Sequence, residues 1–247
     1  ARNSTFPSPH YAVEPNLVLV DQKLFAIGAD SENNTHVEVF GLDKQGNWIN
    51  QTEVNEDRYS GKVGFLPNHN VLFACGCWNH KAECAKTCEF RDPNVDSPWT
   101  SRSLPAGWCL DDAAAIEFQG HIYVTGGYDC AHVETKRTLK YDYGTNKWTE
   151  LADINEHRLG HAMVSDVNTI VVRAGSRLVV VGGHWSIDQE NDDNNNEIYI
   201  LVGNEWFKSA AEIMNEGEYG SVSALAITWS MVDMGLTWVN LAEFTRD

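Results

Sequence analysis

Nine side chains have the chemistry of a binding surface and stand at recurring places in this 247-residue sequence. Asp30, Trp78, Tyr128, Asp129, His184 and Trp185 each lie just past a short apolar run that ends in small residues, so rings stand beside carboxylates and an imidazole. That mixture suits a sugar ring, an aromatic ligand or a cationic group. Arg58, Trp108 and Arg158 sit in the segments between such units and are candidates for the same face. A competing reading gives the arginines to buried backbone carbonyls and the aromatics to packing between units.

Six cysteines, Cys75, Cys77, Cys84, Cys88, Cys109 and Cys130, form a second group. Their spacing is not that of a zinc finger or ribbon, and an even, dense set suits disulfides in an oxidising compartment. Six cysteines allow fifteen connectivities; Cys109 and Cys130 suggest a staple between a connector and a loop. Asn3, Asn33 and Asn50 open Asn-x-Ser/Thr glycosylation sequons. The chain starts Ala1-Arg2-Asn3, and its first methionine is Met163. A cleaved secretory leader would leave such a start, so the expectation is a secreted, extracellular protein.

The run from Asp188 to Glu197 offers only oxygen ligands and amides, which calcium accepts, but it lacks the EF-hand spacing and reads first as a solvated loop. Of nine histidines, His132, His157, His161 and His184 fall in the best-formed units, with no His-x-x-x-His pair. No metal site and no cofactor are expected beyond that calcium option. Hydrolase-elbow, phosphate-loop and dinucleotide motifs are absent. The net charge of −17 argues against gripping nucleic acid through its phosphates and favours cationic partners. No run of about 18 apolar residues is present, which excludes a membrane-spanning helix.

A repeated unit must position these residues. Leu24-Phe25-Ala26-Ile27-Gly28-Ala29, Leu72-Phe73-Ala74-Cys75-Gly76, Ile122-Tyr123-Val124-Thr125-Gly126-Gly127 and Leu178-Val179-Val180-Val181-Gly182-Gly183 stack as one register, with the first members of their closing pairs, Gly28, Cys75, Gly126 and Gly182, spaced 47, 51 and 56 residues apart. Each is followed by an aromatic (Phe40, Phe90, Tyr141, Tyr199), a turn, and a tryptophan (Trp48, Trp99, Trp148, Trp206). A connector then recurs as Asn55-Glu56-Asp57-Arg58, Asn155-Glu156-His157-Arg158 and Asn215-Glu216-Gly217-Glu218; the second unit has Leu104-Pro105-Ala106-Gly107-Trp108 instead. The apolar runs read as strands buried on both faces, and Leu139-Lys140-Tyr141-Asp142 as a half-exposed one, with Gly144-Thr145-Asn146 turning back onto Trp148. A sheet this small cannot bury both faces alone, and stacking copies around an axis is the propeller solution.

The Gly-Gly doublet, the tyrosine, the tryptophan seven residues later and the Arg-bearing connector resemble the kelch repeat. Units three and four match best; unit one departs with Gly28-Ala29 and Phe40, unit two with Cys75-Gly76, Phe90 and an insertion. The resemblance covers roughly residues 10–221. It implies an all-β, kelch-type propeller of four-stranded antiparallel blades, with repeats at about 10–57, 58–107, 108–157 and 158–217 and a partial closing unit at 218–247. Residues 221–227 and 236–241 read as strands of that fifth unit, and residues 6–13 as an outer strand closing the ring.

The expected function is a binding or interaction module working through the loops of one face. Its partner would be a protein, glycan or small molecule. The resemblance also admits two kinds of secreted enzyme: a copper radical oxidase, for which Tyr128, Cys77 and His184 are the nearest counterparts, and a sugar mutarotase using Arg158, Glu156 and His157. An extracellular assembly protein whose oligomerisation completes the ring is the third possibility.

Overall fold

The computed structural model describes residues 12–21, 23–30, 37–42, 48–50, 54–56, 58, 62–76, 85–166, 177–181, 184–185, 193–194, 197–202 and 204–212. These residues form four four-stranded antiparallel sheets in chain order. The first holds β1 (Ala12–Val20), β2 (Lys23–Asp30), β3 (Val37–Leu42) and β4 (Trp48–Asn50). The second holds β5 (Lys62–Leu66), β6 (Val71–Cys75), β7 (Thr87–Arg91) and β8 (Thr100–Ser103). A short β9 (Trp108–Asp111) leads to the third sheet, β10 (Ala114–Phe118), β11 (His121–Thr125), β13 (Thr138–Asp142) and β14 (Lys147–Leu151), with the two-residue β12 (Tyr128–Asp129) between its second and third strands. The fourth holds β15 (Ala162–Asp166), β16 (Arg177–Val181), β19 (Glu197–Val202) and β20 (Glu205–Glu212), with β17 (His184–Trp185) and β18 (Asp193–Asn194) paired beside it. Among the described residues there is no α-helix, so none is long and apolar enough to cross a membrane.

Each sheet runs in simple up-and-down order, and the first strands β1, β5, β10 and β15 approach one another in sequence. The sheets are therefore the blades of a propeller, with their first strands innermost. The N-terminal expectation needs one correction. Ala12 and Val13 pair with Asp30 and Ala29 inside blade one, because a continuous strand to Val20 supplies that blade's inner edge. Its register shifts between Val13 and Asn16, around Pro15, which has no N–H to give the ladder. The strands expected at 221–227 and 236–241, and residues 6–11, lie outside the described residues.

Burial occurs between blades. Val18, Val20 and Phe25 of blade one meet Leu72, Ala74 and Trp99 of blade two. Phe73 and Phe90 of blade two meet Ile122, Leu139 and Tyr141 of blade three. Phe118 and Tyr123 of blade three meet Leu178, Val180, Tyr199 and Trp206 of blade four. The tryptophans of the repeat thus serve one purpose: Trp99, Trp148 and Trp206 each pack into the junction with the blade before. Polar bonds follow the same seams. The Trp206 indole N–H donates to Thr138 Oγ1 at 3.2 Å. Arg102 of blade two donates to the Tyr141 hydroxyl and the Tyr143 carbonyl of blade three, both at 2.8 Å, and lies 3.9 Å from the Tyr143 ring centroid.

Candidate functional site

The second strands β6 and β11 end where the connectors enter, so doublets and connectors gather on one face. The connectors into blades three and four cross the doublets of the blades before them. Leu110 lies against Gly76, and Arg158 and His161 lie against Gly126. Gly127 donates from its N–H to the Arg158 carbonyl at 2.8 Å, and Gly160 to the Asp112 carbonyl at 3.1 Å. The glycines make this crossing possible. Gly126 has φ of +63°, and a Cβ there would sit 2.6 Å from both the Arg158 oxygen and His161 Cε1. Gly126→Ala is expected to cost at least about 2 kcal/mol in urea unfolding, from backbone strain and overlap together.

The cysteines explain how units two and three depart from the repeat. Cys75 takes a doublet position because it faces Cys88 in register across β6 and β7, and the two are joined with Cα atoms 4.2 Å apart. Cys109 and Cys130 are joined as well, Cα to Cα 5.1 Å, tying β9 to the loop after β12. Cys77 and Cys84 lie outside the described residues.

That stapled loop is the best-defined feature of the face. Tyr128 pairs with Asp111 and Asp129 with Trp108 across β12 and β9, and Tyr128 bridges to Glu134. The Asp129 carboxylate accepts the N–H groups of Ala131 at 2.8 Å and Val133 at 3.0 Å, and the Asp129 N–H donates to the Val133 carbonyl at 2.9 Å. At the loop's base, Thr135 donates to the Gly127 carbonyl at 2.8 Å. Val133, 56% exposed, stands at its outer side. Burial first, then the carboxylates of Glu134, Asp112 and Asp111, push the Tyr128 phenol above its ordinary range. The connector is sharply kinked here, with Leu110 at φ +63° and Asp112 at φ +49°. Leucine rarely adopts that conformation, so the surrounding bonds must hold it.

Three expected face residues are placed elsewhere. Arg58 is buried inside blade two: Nη1 donates to the carbonyls of Gly76 (3.1 Å) and Thr87 (2.7 Å), and Nη2 to Thr87 Oγ1 and Glu89 Oε1 (both 2.7 Å). Glu89, wholly buried, also accepts the N–H groups of Asn55 at 2.6 Å and Glu56 at 3.0 Å. Arg158 is wholly buried, with its guanidinium 4.9 Å from the Tyr199 ring centroid. Trp108 belongs to the core between blades two and three and is covered by the Arg137 guanidinium at 4.1 Å; Arg137 is paired with Glu150. In each case a charge or ring in a connector is desolvated by the next blade before it can reach solvent. Among the expected residues, then, Tyr128 and Asp129 are the two whose described side chains sit on the face. Asp30, His184 and Trp185 lie on strands at blade ends, but their side chains, like Trp78 entirely, fall outside the described residues. So do Asn3 and Asn33, the side chain of Asn50, and most of the acidic run, of which Asp193 and Asn194 form β18. Among the described residues no cluster of three His, Cys, Asp or Glu side chains could hold a metal ion.

Glu89 is a buried structural partner rather than a face residue, and a lone acid between Cys88 and Phe90 is the sequence signal for its cationic partner. His161 is given no role by the sequence. It is 4% exposed beneath Gly126, and burial, then Arg158 and Lys62, lower its imidazole to about 3.

Four repeated blades with inner first strands, glycine doublets crossed by connectors, and tryptophans sealing each seam define a kelch-type β-propeller. The Kelch motif family matches residues 110–155. Beta-scruin of Limulus polyphemus is 43% identical over 68 residues, which is 25% of this chain and 7% of that protein. The chain therefore spans only a small part of that relative's length. Among solved structures, one titled "Structure of YjhT" superposes with a TM-score of 0.64 at 12% identity, covering 82% of this chain and 71% of the other. Residues 110–155 thus carry a kelch motif, within a chain whose fold is that of a kelch-type propeller.

Proposed function

We propose that this chain is a protein-interaction module that works in an oxidising, extracellular setting and engages its partner through the doublet face. The observation that carries this reading is the loop from Tyr128 to Glu134. It is held by a disulfide, by two hydrogen bonds to one carboxylate and by a short ladder to β9. A loop fixed before contact loses little conformational freedom on binding, which is how a rigid scaffold presents a recognition element. Tyr128 among Asp111, Asp112, Asp129 and Glu134 suits a basic segment, with a Lys or Arg side chain over the ring. Asp30, Trp78, His184 and Trp185 are the proposed contributions of the other blades to the same rim. The two described disulfides support the compartment.

The test is an immobilised array of basic, neutral and acidic peptides. The native protein should retain basic peptides preferentially, and added salt should weaken that retention. Tyr128→Ala, and Asp111→Asn combined with Asp112→Asn, should each reduce it by about tenfold, with unfolding midpoints little changed. Equal retention of acidic peptides, or binding untouched by either variant, would reject the proposal.

A further inference from the structure

We infer that Cys130 is a site of reversible thiol modification, through which the Cys109–Cys130 bond acts as a latch on the loop while Cys75–Cys88 stays closed. Thiol–disulfide exchange needs a thiolate to reach one sulfur along the line of the S–S bond. Of the four described cysteines, Cys130 alone is exposed; Cys75, Cys88 and Cys109 are buried at about 1% or less. Attack therefore falls on Cys130 Sγ. The electron pair of the broken S–S bond leaves on Cys109 Sγ, which takes up a proton. The incoming thiol is left as a mixed disulfide on Cys130. A second equivalent of thiol displaces it, giving two protein thiols and the oxidised disulfide of the reagent.

The two bonds also differ in what holds their cysteines together once cut. Cys75 and Cys88 are opposite each other in the β6–β7 ladder and lie in the core with Phe73 and Phe90. Their sulfurs remain juxtaposed, so any opening recloses. Cys130 follows a strand of two residues whose pairing with β9 is irregular. The loop's internal bonds, from Asp129 to Ala131 and Val133 and from Thr135 to Gly127, do not involve Cys109. Opening thus leaves that irregular two-residue pairing as the remaining tie between the loop and β9, so the loop unfolds locally far more often. Asp129 is the residue before Cys130, and the carboxylates of Glu134, Asp112 and Asp111 act on nearby Tyr128, so a thiolate from an otherwise neutral reagent reaches Cys130 more readily than one carrying further negative charge. The consequence for binding rests on the proposed face; the thiol chemistry does not.

The experiment treats the folded protein with dithiothreitol, quenches with iodoacetamide at intervals and maps every cysteine by mass. Cys109 and Cys130 should be alkylated at least about tenfold sooner than Cys75 and Cys88. Hydrogen exchange of residues 127–135 should rise at the same stage while β6 and β11 stay protected. Anionic glutathione should open the bond more slowly than neutral 2-mercaptoethanol at equal thiolate concentration, and salt should narrow the gap. Cys130→Ser should reproduce the loop exchange of the reduced protein. Labelling of Cys75 and Cys88 as early as the other pair, or loop protection unchanged once Cys109 and Cys130 are alkylated, would overturn the inference. Neither readout needs a partner, so its failure is separable from that of the binding proposal.

Discussion

Glu89→Ala is expected to lower the unfolding free energy by about 3–5 kcal/mol, the range seen when one member of a buried ion pair is deleted. The Arg58 guanidinium is about 1% exposed and its partner carboxylate 0%, at 2.7 Å. Without Glu89, a buried cation keeps carbonyls, a hydroxyl and the more distant, exposed Glu56 carboxylate, but loses its one buried counter-charge. The N–H groups of Asn55 and Glu56 lose their acceptor at the same time. The control lies one turn of the connector away. Glu56 also approaches Arg58, at 3.6 Å, but is 44% exposed. Water screens that contact, so Glu56→Ala should change stability by no more than about 1 kcal/mol. Replacing the pair together, Arg58→Met with Glu89→Leu, should cost less than Glu89→Ala alone, since no bare charge remains. Urea titrations of the three variants read all of this directly. Equal losses for Glu56→Ala and Glu89→Ala would show that the pair is not the keystone of blade two.

Acid should destabilise the protein through His161 before the carboxylates titrate. The imidazole takes up its proton near 6.5 when unfolded but only near about 3 when folded. Above pH 6.5 both states are neutral and the group contributes nothing to the pH dependence. Below it, the unfolded chain binds a proton that the folded one refuses, so stability falls by about 1.4 kcal/mol per pH unit until the folded value is reached. The cause is burial, reinforced by the positive charges of Arg158 and Lys62; the Thr125 backbone pulls weakly the other way. Between pH 6.5 and 4.5 the loss should reach about 2–3 kcal/mol. His161→Gln keeps a polar side chain under Gly126 but cannot titrate. Its stability should be nearly flat over that window, and a slope as steep as that of the native protein would assign the effect elsewhere.

These two groups show where sequence reading succeeds and stops. The doublets, the tryptophans and the Asn-Glu-x-Arg connectors are visible because each is a local solution repeated at one spacing: a strand end, a hairpin, a crossing. Even so, equal spacing hides different pairing. Tyr141 and Tyr199 both precede their tryptophans by seven residues, yet Trp148 pairs with Tyr141 itself, whereas Trp206 pairs with Leu201, because the fourth blade makes the tighter turn between Val202 and Glu205. Side-chain fate was less legible. Arg58 and Trp108 look like surface chemistry until the neighbouring blade is placed over them, and only the register of β6 against β7 reveals that Cys75 faces Cys88. Contacts between segments far apart in the chain have no local signature. The place of Tyr128 and Asp129 past a doublet is legible, because the repeat itself sets it.

The hydrophobic clusters have a mechanical consequence. Among the described residues none belongs to a single blade: Trp99 closes the seam with blade one, Tyr141 the seam with blade two, Trp206 the seam with blade three. Blades two and three, each wedged between two neighbours, therefore have no interior of their own to lose. Injury to either loosens masonry on both sides, and a blade cut free of its neighbours would have too little shelter for its oily faces to stand as a separate folded unit.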